Sequence, residues 1–153
     1  MTSSSAGTPS ESGARYLHHF RLDKVLGRGG MGEVLLGFDT SLQRPVAIKV
    51  IRSDLAQRSE FVDRFVREAR AQGRIAHSNV VQVYYIGQEH DAVYIAMELV
   101  DGGSLADFLE GNKRLPWEDA ARHMLGLAEG LGEAARLNII HRDIKPHNIL
   151  LDR

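Results

Sequence analysis

The feature that most restricts the fold of this chain is a change of hydrophobic period about two-thirds of the way along it. Up to Val100, short apolar runs alternate with polar residues and turn signals, a pattern typical of β-strands. After Asp101-Gly102-Gly103, apolar residues recur at helical spacing instead. The sequence therefore predicts a β-rich part, a Gly-Gly hinge and an α-rich part, arranged as two lobes.

The first part is predicted to contain five strands and one helix. The strands are expected within Phe20–Leu26, Val34–Phe38, Val46–Ile51, Val80–Ile86 and Ala92–Val100. Between Leu55 and Ile75 the apolar residues have helical spacing, with charged residues on the other face. In the second part, Ser104 and Asp107 indicate a capping box for a short helix, Leu105–Leu109, and Pro116 indicates the start of a longer one.

Composition limits the classes of function. With 19 Lys and Arg against 20 Asp and Glu, the net charge of −1 argues against a protein that binds nucleic acid or anionic membranes through bulk charge. The chain has no Cys, which excludes disulfides, thiolate catalysis and cysteine-ligated metals. No stretch has the length of an apolar membrane span and no secretory signal is present, so we expect a soluble, cytoplasmic chain. Residues 1–14 are rich in Ser, Thr, Gly and Pro and are expected to form a disordered tail.

A glycine cluster, Gly27-Arg28-Gly29-Gly30-Met31-Gly32, stands between the first two strands. A G-x-G-x-x-G pattern is a weak signal alone, because it also occurs in dinucleotide-binding folds and in loops without a ligand. In a dinucleotide fingerprint the pattern opens a helix, whereas the residues after Gly32 are strand-like. The cluster is therefore predicted at a hairpin tip, where glycines allow the backbone to approach phosphates; an ordinary glycine-rich turn is the alternative.

Lys49 and Glu68 are two charged candidates in the first part. Lys49 shares a strand face with the small Ala47, which leaves space for a flat base beside an ammonium that can reach its phosphates. The simpler alternative is a lysine that faces solvent. Glu68 lies on the predicted helix, where it can pair with Lys49 or form a surface pair with Arg64 four residues earlier.

The strongest signal is the polar run His141-Arg142-Asp143-Ile144-Lys145-Pro146-His147-Asn148, which stands between apolar residues. Asp143, Lys145 and Asn148 could supply an acceptor for a hydroxyl proton, a cation for a transferring phosphoryl group and a metal ligand. A charged surface turn is the alternative. It is less plausible here because the run follows the glycine cluster, Lys49 and Glu68 in that order.

Taken together, these motifs resemble a eukaryotic-type serine/threonine protein kinase of the bacterial branch, from about Tyr16 to the end of the chain. The resemblance implies an α+β, protein-kinase-like fold: a five-stranded antiparallel N-lobe sheet with one helix over residues 15–100, then the hinge and the first helices of an incomplete C-lobe over 101–153. It implies ATP and Mg²⁺ as cofactors and protein Ser/Thr hydroxyls as substrates. The oligomeric state is left open.

The resemblance also assigns roles to individual residues. Asp143 corresponds to the catalytic base, and Lys145 to the lysine that serine/threonine kinases carry two residues after that base. Asn148 corresponds to a magnesium ligand. Lys49 corresponds to the lysine that binds the phosphates, and Glu68 to its ion-pair partner on the helix. The implied nucleotide site comprises Leu26, Gly27, Gly29, Gly32, Val34, Ala47, Lys49, Met97, Glu98, Val100, Ser104 and Leu150. Met97 would be the gatekeeper and Glu98–Val100 the hinge, while Ser104 would lie near the ribose, although its helix-cap role explains it equally.

The family's D-F-G motif, expected about a dozen residues after Asn148, does not occur in the 153 residues. We therefore expect an incomplete kinase domain with little or no phosphotransfer activity by itself. Two alternatives stay open: an ATP-binding or interaction module without catalysis, and a small-molecule phosphotransferase. The second is less favoured, because such enzymes generally lack the Lys-Pro-x-Asn run.

Overall fold

A single antiparallel sheet forms the first part of the chain. The structure, a computed structural model, describes residues 14–110 and 114–152. The strands are β1 (Arg15–Leu17), β2 (Phe20–Gly29), β3 (Gly32–Asp39), β4 (Arg44–Ile51), β5 (Val83–Glu89) and β6 (Ala92–Met97). They lie in the order β1-β2-β3-β4-β6-β5. Apart from Ala14, the predicted disordered tail lies outside the described residues.

The sheet has six strands rather than the predicted five. The additional strand is β1, which pairs antiparallel with β2 across a turn in which His18 has a φ of 54°. A strand of three residues is too short to display the alternation on which the prediction depended. The other five strands confirm the prediction, although β5 begins at Val83 rather than at Val80.

Four α-helices accompany the sheet in the described residues. They are α1 (Ser53–Ala56), α2 (Ser59–Gln72), α3 (Leu105–Leu109) and α4 (Trp117–Arg136). The prediction of one helix in the first part was wrong, because the chain leaves the helical conformation at Gln57-Arg58 and α1 is separate from α2. Helices α3 and α4 confirm the predictions made from the Ser104 cap and from Pro116.

Both faces of the sheet carry hydrophobic clusters. One cluster lies on the face of the sheet opposite α2 and contains Phe20, Leu22, Leu35, Val46, Ile48, Tyr94 and Ala96. The other lies under α2 and contains Ile51, Phe65, Ala69, Val93 and Ile95. Each large buried side chain contributes about 1.5–3 kcal/mol of transfer free energy, and Phe65 is the large side chain of α2 that is fully buried against the sheet. The amide of Gln72 adds a hydrogen bond of 2.8 Å to the carbonyl oxygen of Val81.

Helix α4 packs against the chain between α2 and β5. A Cβ atom at Gly130 would lie 3.0 Å from the carbonyl oxygen of Asn79, and one at Gly126 would lie 3.2 Å from the Asn79 amide nitrogen. The same amide donates a hydrogen bond of 3.3 Å to Glu129. Glycines that lower the helix propensity of α4 therefore allow this close contact. In the described parts of the chain, no helix combines the length and apolarity needed to cross a bilayer.

Candidate active site

The glycine cluster forms the tip of the β2–β3 hairpin, with Gly30 and Met31 in the turn. This confirms the hairpin predicted from the strand-like residues after Gly32. A Cβ atom at Gly32 would lie 1.9 Å from the carbonyl oxygen of Val50, so the packing of β3 on β4 requires glycine there. A Cβ atom at Gly27 or Gly29 would meet no atom within 4 Å. The fold therefore does not explain those two glycines, and the backbone around them is open to a ligand.

Four predicted nucleotide-site residues share one face of the sheet. Lys49 on β4 pairs with Val34 on β3, and Ala47 pairs with Met97 on β6. Directly paired residues of antiparallel strands share a face, and so do residues two apart on one strand. Leu26 lies where the β2–β3 register shifts and is exposed. An aliphatic surface therefore adjoins the ammonium of Lys49.

Lys49 and Glu68 do not meet. The Lys49 ammonium lies 5.7 Å from the centroid of the Phe65 ring, a cation–π contact. Among residues 14–110 and 114–152, Glu68 has no ion pair within 4.0 Å, either with Lys49 or with Arg64. Helix α2 turns Phe65 and Ala69 towards the sheet and leaves Glu68 exposed. The sequence analysis missed Phe65, although its position three residues before Glu68 places it on a neighbouring part of the helix surface.

The predicted hinge, Glu98–Val100, follows β6 directly. The Glu98 backbone N–H donates a hydrogen bond of 2.9 Å to the Gln82 carbonyl, and the Gln82 N–H donates one of 3.0 Å to the Glu98 carboxylate. The side chain of Glu98 thus braces the hinge against the chain that enters β5. Val100 is half-buried two residues further on.

The segment after the polar run 141–148 lies against the turn that follows residues 98–100. The Leu105 N–H donates a hydrogen bond of 2.7 Å to the Ile149 carbonyl, and the Leu151 N–H donates one of 2.9 Å to Gly103. Leu150 thereby stands opposite Ser104 as an antiparallel pair. These main-chain bonds bring the end of the polar run 141–148 beside the predicted hinge, as the implied nucleotide site requires.

Ser104 is buried, and its side chain is engaged in the cap of α3. Its hydroxyl donates a hydrogen bond of 2.6 Å to the Asp107 carboxylate and accepts one of 3.1 Å from the Asp107 N–H. The hydroxyl and the backbone N–H of Ser104 lower the pKa of Asp107 by hydrogen bonding to its ionised form. The capping box predicted from the sequence is confirmed, and it uses the one proton that Ser104 could offer a ribose.

Asp143, Lys145 and Asn148 are brought together in one hydrogen-bonded group. The Lys145 ammonium lies 2.9 Å from the Asp143 carboxylate. The Asn148 amide donates hydrogen bonds of 3.0 Å to that carboxylate and of 2.8 Å to the Asp143 carbonyl. Hydrogen bonds from Lys145, and then from Asn148, lower the pKa of Asp143. The carboxylate is therefore ionised at neutral pH, and although its side chain is 61% exposed it is oriented by its contacts with Lys145 and Asn148.

The donor set of this loop suits a hard cation. The Asn148 nitrogen is occupied by Asp143, so the amide oxygen is left as an acceptor. Mg²⁺ prefers oxygen ligands and usually keeps several waters, so one amide oxygen beside a carboxylate fits it in part. Among residues 14–110 and 114–152, this loop included, no group of three or more His, Asp or Glu side chains is arranged to hold a metal ion.

Comparison with known proteins places the chain in a family. The protein kinase domain family matches residues 20–153. The chain belongs to the protein kinase family. Among its relatives, the serine/threonine-protein kinase PrkC of Bacillus subtilis is 41% identical over 140 residues, which cover 92% of this chain and 22% of PrkC. The serine/threonine-protein kinase PknB of Mycobacterium leprae is 38% identical over 148 residues, which cover 94% of this chain and 23% of PknB.

Comparison with solved structures supports the same family. The kinase domain of PknI from Mycobacterium tuberculosis superimposes with a TM-score of 0.77 at 26% identity, covering 94% of this chain and 59% of that domain. The chain thus spans about a fifth of the curated relatives and somewhat over half of the solved domain. The resemblance to bacterial serine/threonine kinases is confirmed, and the kinase-like fold with it.

Proposed function

We propose that this chain carries the ATP site and the catalytic loop of a protein kinase that transfers the γ-phosphoryl group of ATP to Ser or Thr hydroxyls of proteins. The observation that carries the proposal is the group of Asp143, Lys145 and Asn148, held beside the hinge by the pairing of Leu150 with Ser104. The names of the relatives, which are serine/threonine-protein kinases, support the same reaction and argue against a small-molecule phosphotransferase.

The proposed binding site uses the α2 face of the sheet and the open hairpin. The side chains of Val34, Ala47 and Met97 would contact the adenine, while the backbone N–H groups around Gly27 and Gly29 would face the phosphates. Lys49 would bind phosphate oxygens through its ammonium. Such charge-assisted contacts contribute about 1.5–3 kcal/mol each.

In the proposed reaction, Asp143 accepts a hydrogen bond from the substrate hydroxyl and orients its oxygen towards the γ-phosphorus. The new O–P bond forms as the bond to ADP breaks; the leaving oxygen keeps the electron pair and the hydroxyl proton passes to Asp143 or to solvent. Hydrogen bonds from Lys145 and Asn148 lower the pKa of Asp143, so its carboxylate is ionised and can accept the hydrogen bond of the hydroxyl. Lys145 places positive charge beside the transferring group. Asn148 would hold Mg²⁺ through its amide oxygen, and that ion, when bound, neutralises phosphate charge.

The ATP site is tested by binding of a fluorescent ATP analogue to the purified chain. We expect Lys49→Met to weaken binding about tenfold or more, because a charge-assisted contact is lost. Lys24→Met removes an exposed lysine of β2 and is the matched control. Equal affinity of the wild type and Lys49→Met would overturn the proposed site.

A second candidate function for the 153-residue chain is ATP binding without turnover. One observation favours it: among residues 14–110 and 114–152, Glu68 does not pair with Lys49, whose ammonium contacts the Phe65 ring instead. ADP release by the purified chain, compared with Asp143→Asn, separates the two functions. Release that Asp143→Asn abolishes assigns catalysis to the chain itself, whereas analogue binding without release assigns the binding function.

A further inference from the structure

The two limbs of the glycine hairpin, residues 27–32, differ in what surrounds them. The β2 limb is exposed, and among the described residues nothing lies within 4 Å of a Cβ atom built at Gly27 or Gly29. The other limb begins at Met31, which is half-buried, and Gly32 lies too close to the Val50 carbonyl to carry a Cβ atom. One limb is therefore open to a ligand, while the other is fixed against the sheet.

The backbone of the hairpin turn is held by Arg52, the residue that follows β4. The Arg52 backbone N–H donates a hydrogen bond of 3.0 Å to the Met31 carbonyl oxygen. Its guanidinium donates a longer one of 3.5 Å to the Gly30 carbonyl oxygen and forms an ion pair of 2.7 Å with Asp54 of α1. The turn is thus joined to the junction between β4 and α1.

The side chain of Met31 provides a second anchor. It packs against the buried cluster under α2 that contains Ile51 and Phe65, as Leu55 of α1 and Val62 of α2 also do. A hairpin turn by itself favours Gly, Asn, Asp, Pro or Ser, so the turn does not explain an apolar residue at this position. The flexible thioether of methionine fits irregular apolar gaps well, and the contact with the cluster explains it.

We propose that Met31 is a positioning residue of the nucleotide site, which holds the glycine hairpin against the cluster under α2 and so presents the open limb to the phosphates. For the identity of the ligand the inference rests on the proposed function. A flexible hairpin must lose conformational entropy when it closes on a ligand, whereas a hairpin that is already held avoids much of that cost. Met31 therefore contributes to affinity without touching the nucleotide.

The same cluster also connects the hairpin with Lys49. Phe65 belongs to the cluster, and its ring contacts the Lys49 ammonium. Two proposed phosphate-binding groups, the hairpin and Lys49, are therefore supported by one set of apolar contacts. Binding of a ligand at the hairpin and packing of α2 should influence each other, because such a coupling is reciprocal.

A pair of ligands tests the role of Met31 in phosphate binding. Affinities of the purified chain are measured for a fluorescent ATP analogue and for the adenosine analogue with the same fluorophore. We expect Met31→Ala to weaken binding of the ATP analogue about fivefold or more and to change binding of the adenosine analogue less than about twofold, because only the phosphates use the hairpin. Met31→Leu keeps an apolar side chain in the cluster and should restore most of the lost affinity.

The matched control is Ile86→Ala. Ile86 packs against the same cluster and loses the same number of side-chain atoms, but it lies on β5, at the edge of the sheet away from the hairpin. It should lower the urea midpoint as Met31→Ala does and leave the ratio of the two affinities unchanged. Circular dichroism verifies that each variant is folded. An equal change of the ratio in the control, or an equal loss of both ligands by Met31→Ala, would overturn the proposal.

Amide hydrogen exchange tests the anchor without any nucleotide. Met31→Ala should accelerate exchange of the amides that pair the two limbs of the hairpin about fivefold or more, whereas Ile86→Ala should not. Unchanged exchange in Met31→Ala would exclude the anchor. A wild-type chain that binds no ATP analogue would overturn the proposed function, and the exchange comparison would still decide whether Met31 holds the hairpin.

Discussion

The proposed catalytic loop, residues 141–148, is organised by contacts among a few polar side chains. Asp143 receives hydrogen bonds from both Lys145 and Asn148, so its carboxylate is oriented before any substrate is present. Preorganised polar groups cost little reorganisation during a reaction, which is the main advantage of such an arrangement. The loop thus holds an ionised hydrogen-bond acceptor.

The titration of Asp143 tests this arrangement. Its lowered pKa favours the ionised form in the folded chain, so the associated stability is complete above the unfolded pKa near 3.9 and is lost as the pH falls through the folded pKa. We expect Lys145→Met to raise the pKa of Asp143 more than Asn148→Ala does, because the Lys145 hydrogen bond is the larger cause. Carbon-13 NMR titration of the carboxyl group measures both. A larger effect of Asn148→Ala would contradict the assignment.

For individual side chains, the sequence predicted which residues lie in the candidate site better than it predicted which of them contact one another. The spacing of Asp143, Lys145 and Asn148 was sufficient to identify the trio, because one short loop must hold them close together. Lys49 and Glu68 lie on different elements, so their contact depends on how α2 sits on the sheet. The buried face of α2 places Phe65 beneath the ammonium instead, a packing outcome that the spacing alone could not predict.

Among the elements, α4 shows how glycines that weaken a helix can serve its packing. Gly126 and Gly130 face Asn79, while Gly132 faces open space. Trp117 and Met124, two large apolar residues of α4, are exposed. The contact with the sheet-bearing part of the chain is made through the glycines instead.

Two alanine substitutions in α4 separate packing from propensity. Gly132→Ala should stabilise the chain by up to about 1 kcal/mol, because alanine favours the helix and its Cβ meets nothing. Gly130→Ala gains the same propensity but places its Cβ 3.0 Å from the Asn79 carbonyl oxygen. We expect it to be less stable than Gly132→Ala by about 1–2 kcal/mol, measured by urea unfolding. Equal free energies of unfolding for the two variants would show that Asn79 moves away from the new methyl group at little cost.

The elements that the sequence failed to predict are the short ones. Strand β1 has three residues and α1 has four, too few for either hydrophobic period to be recognised. Longer elements were predicted because they repeat their pattern several times, and α3 was predicted because its capping box marks its start. What the sequence lacked was information on register and on helix orientation, which arise from packing.

The two parts of the molecule differ in how well they cover their apolar surface. The sheet and α2 enclose two buried clusters. In the second part, Trp117 is 75% exposed, Ile140 73% and Leu125 61%. Exposed apolar groups on this scale favour self-association and the binding of hydrophobic dyes.

The exposed apolar residues give a prediction for the purified chain. The triple variant Trp117→Gln, Leu125→Gln, Ile140→Gln should reduce the fluorescence of a bound hydrophobic dye about twofold or more. Leu42→Gln changes an equally exposed leucine on the sheet side and should have little effect. Affinity for the ATP analogue should be the same in all variants. A triple variant with unchanged dye fluorescence would place the exposed apolar surface elsewhere.

The pairing of Leu150 with Ser104 separates two properties of the proposed nucleotide site. The bonds from Leu105 to Ile149 and from Leu151 to Gly103 join backbone atoms, so they fix where residue 150 stands without reference to its side chain. Evolution or a designer can therefore exchange that side chain for a larger or smaller one and keep the alignment of the two segments. In this molecule, the side chain at position 150 and the backbone alignment that positions it can therefore change independently of each other.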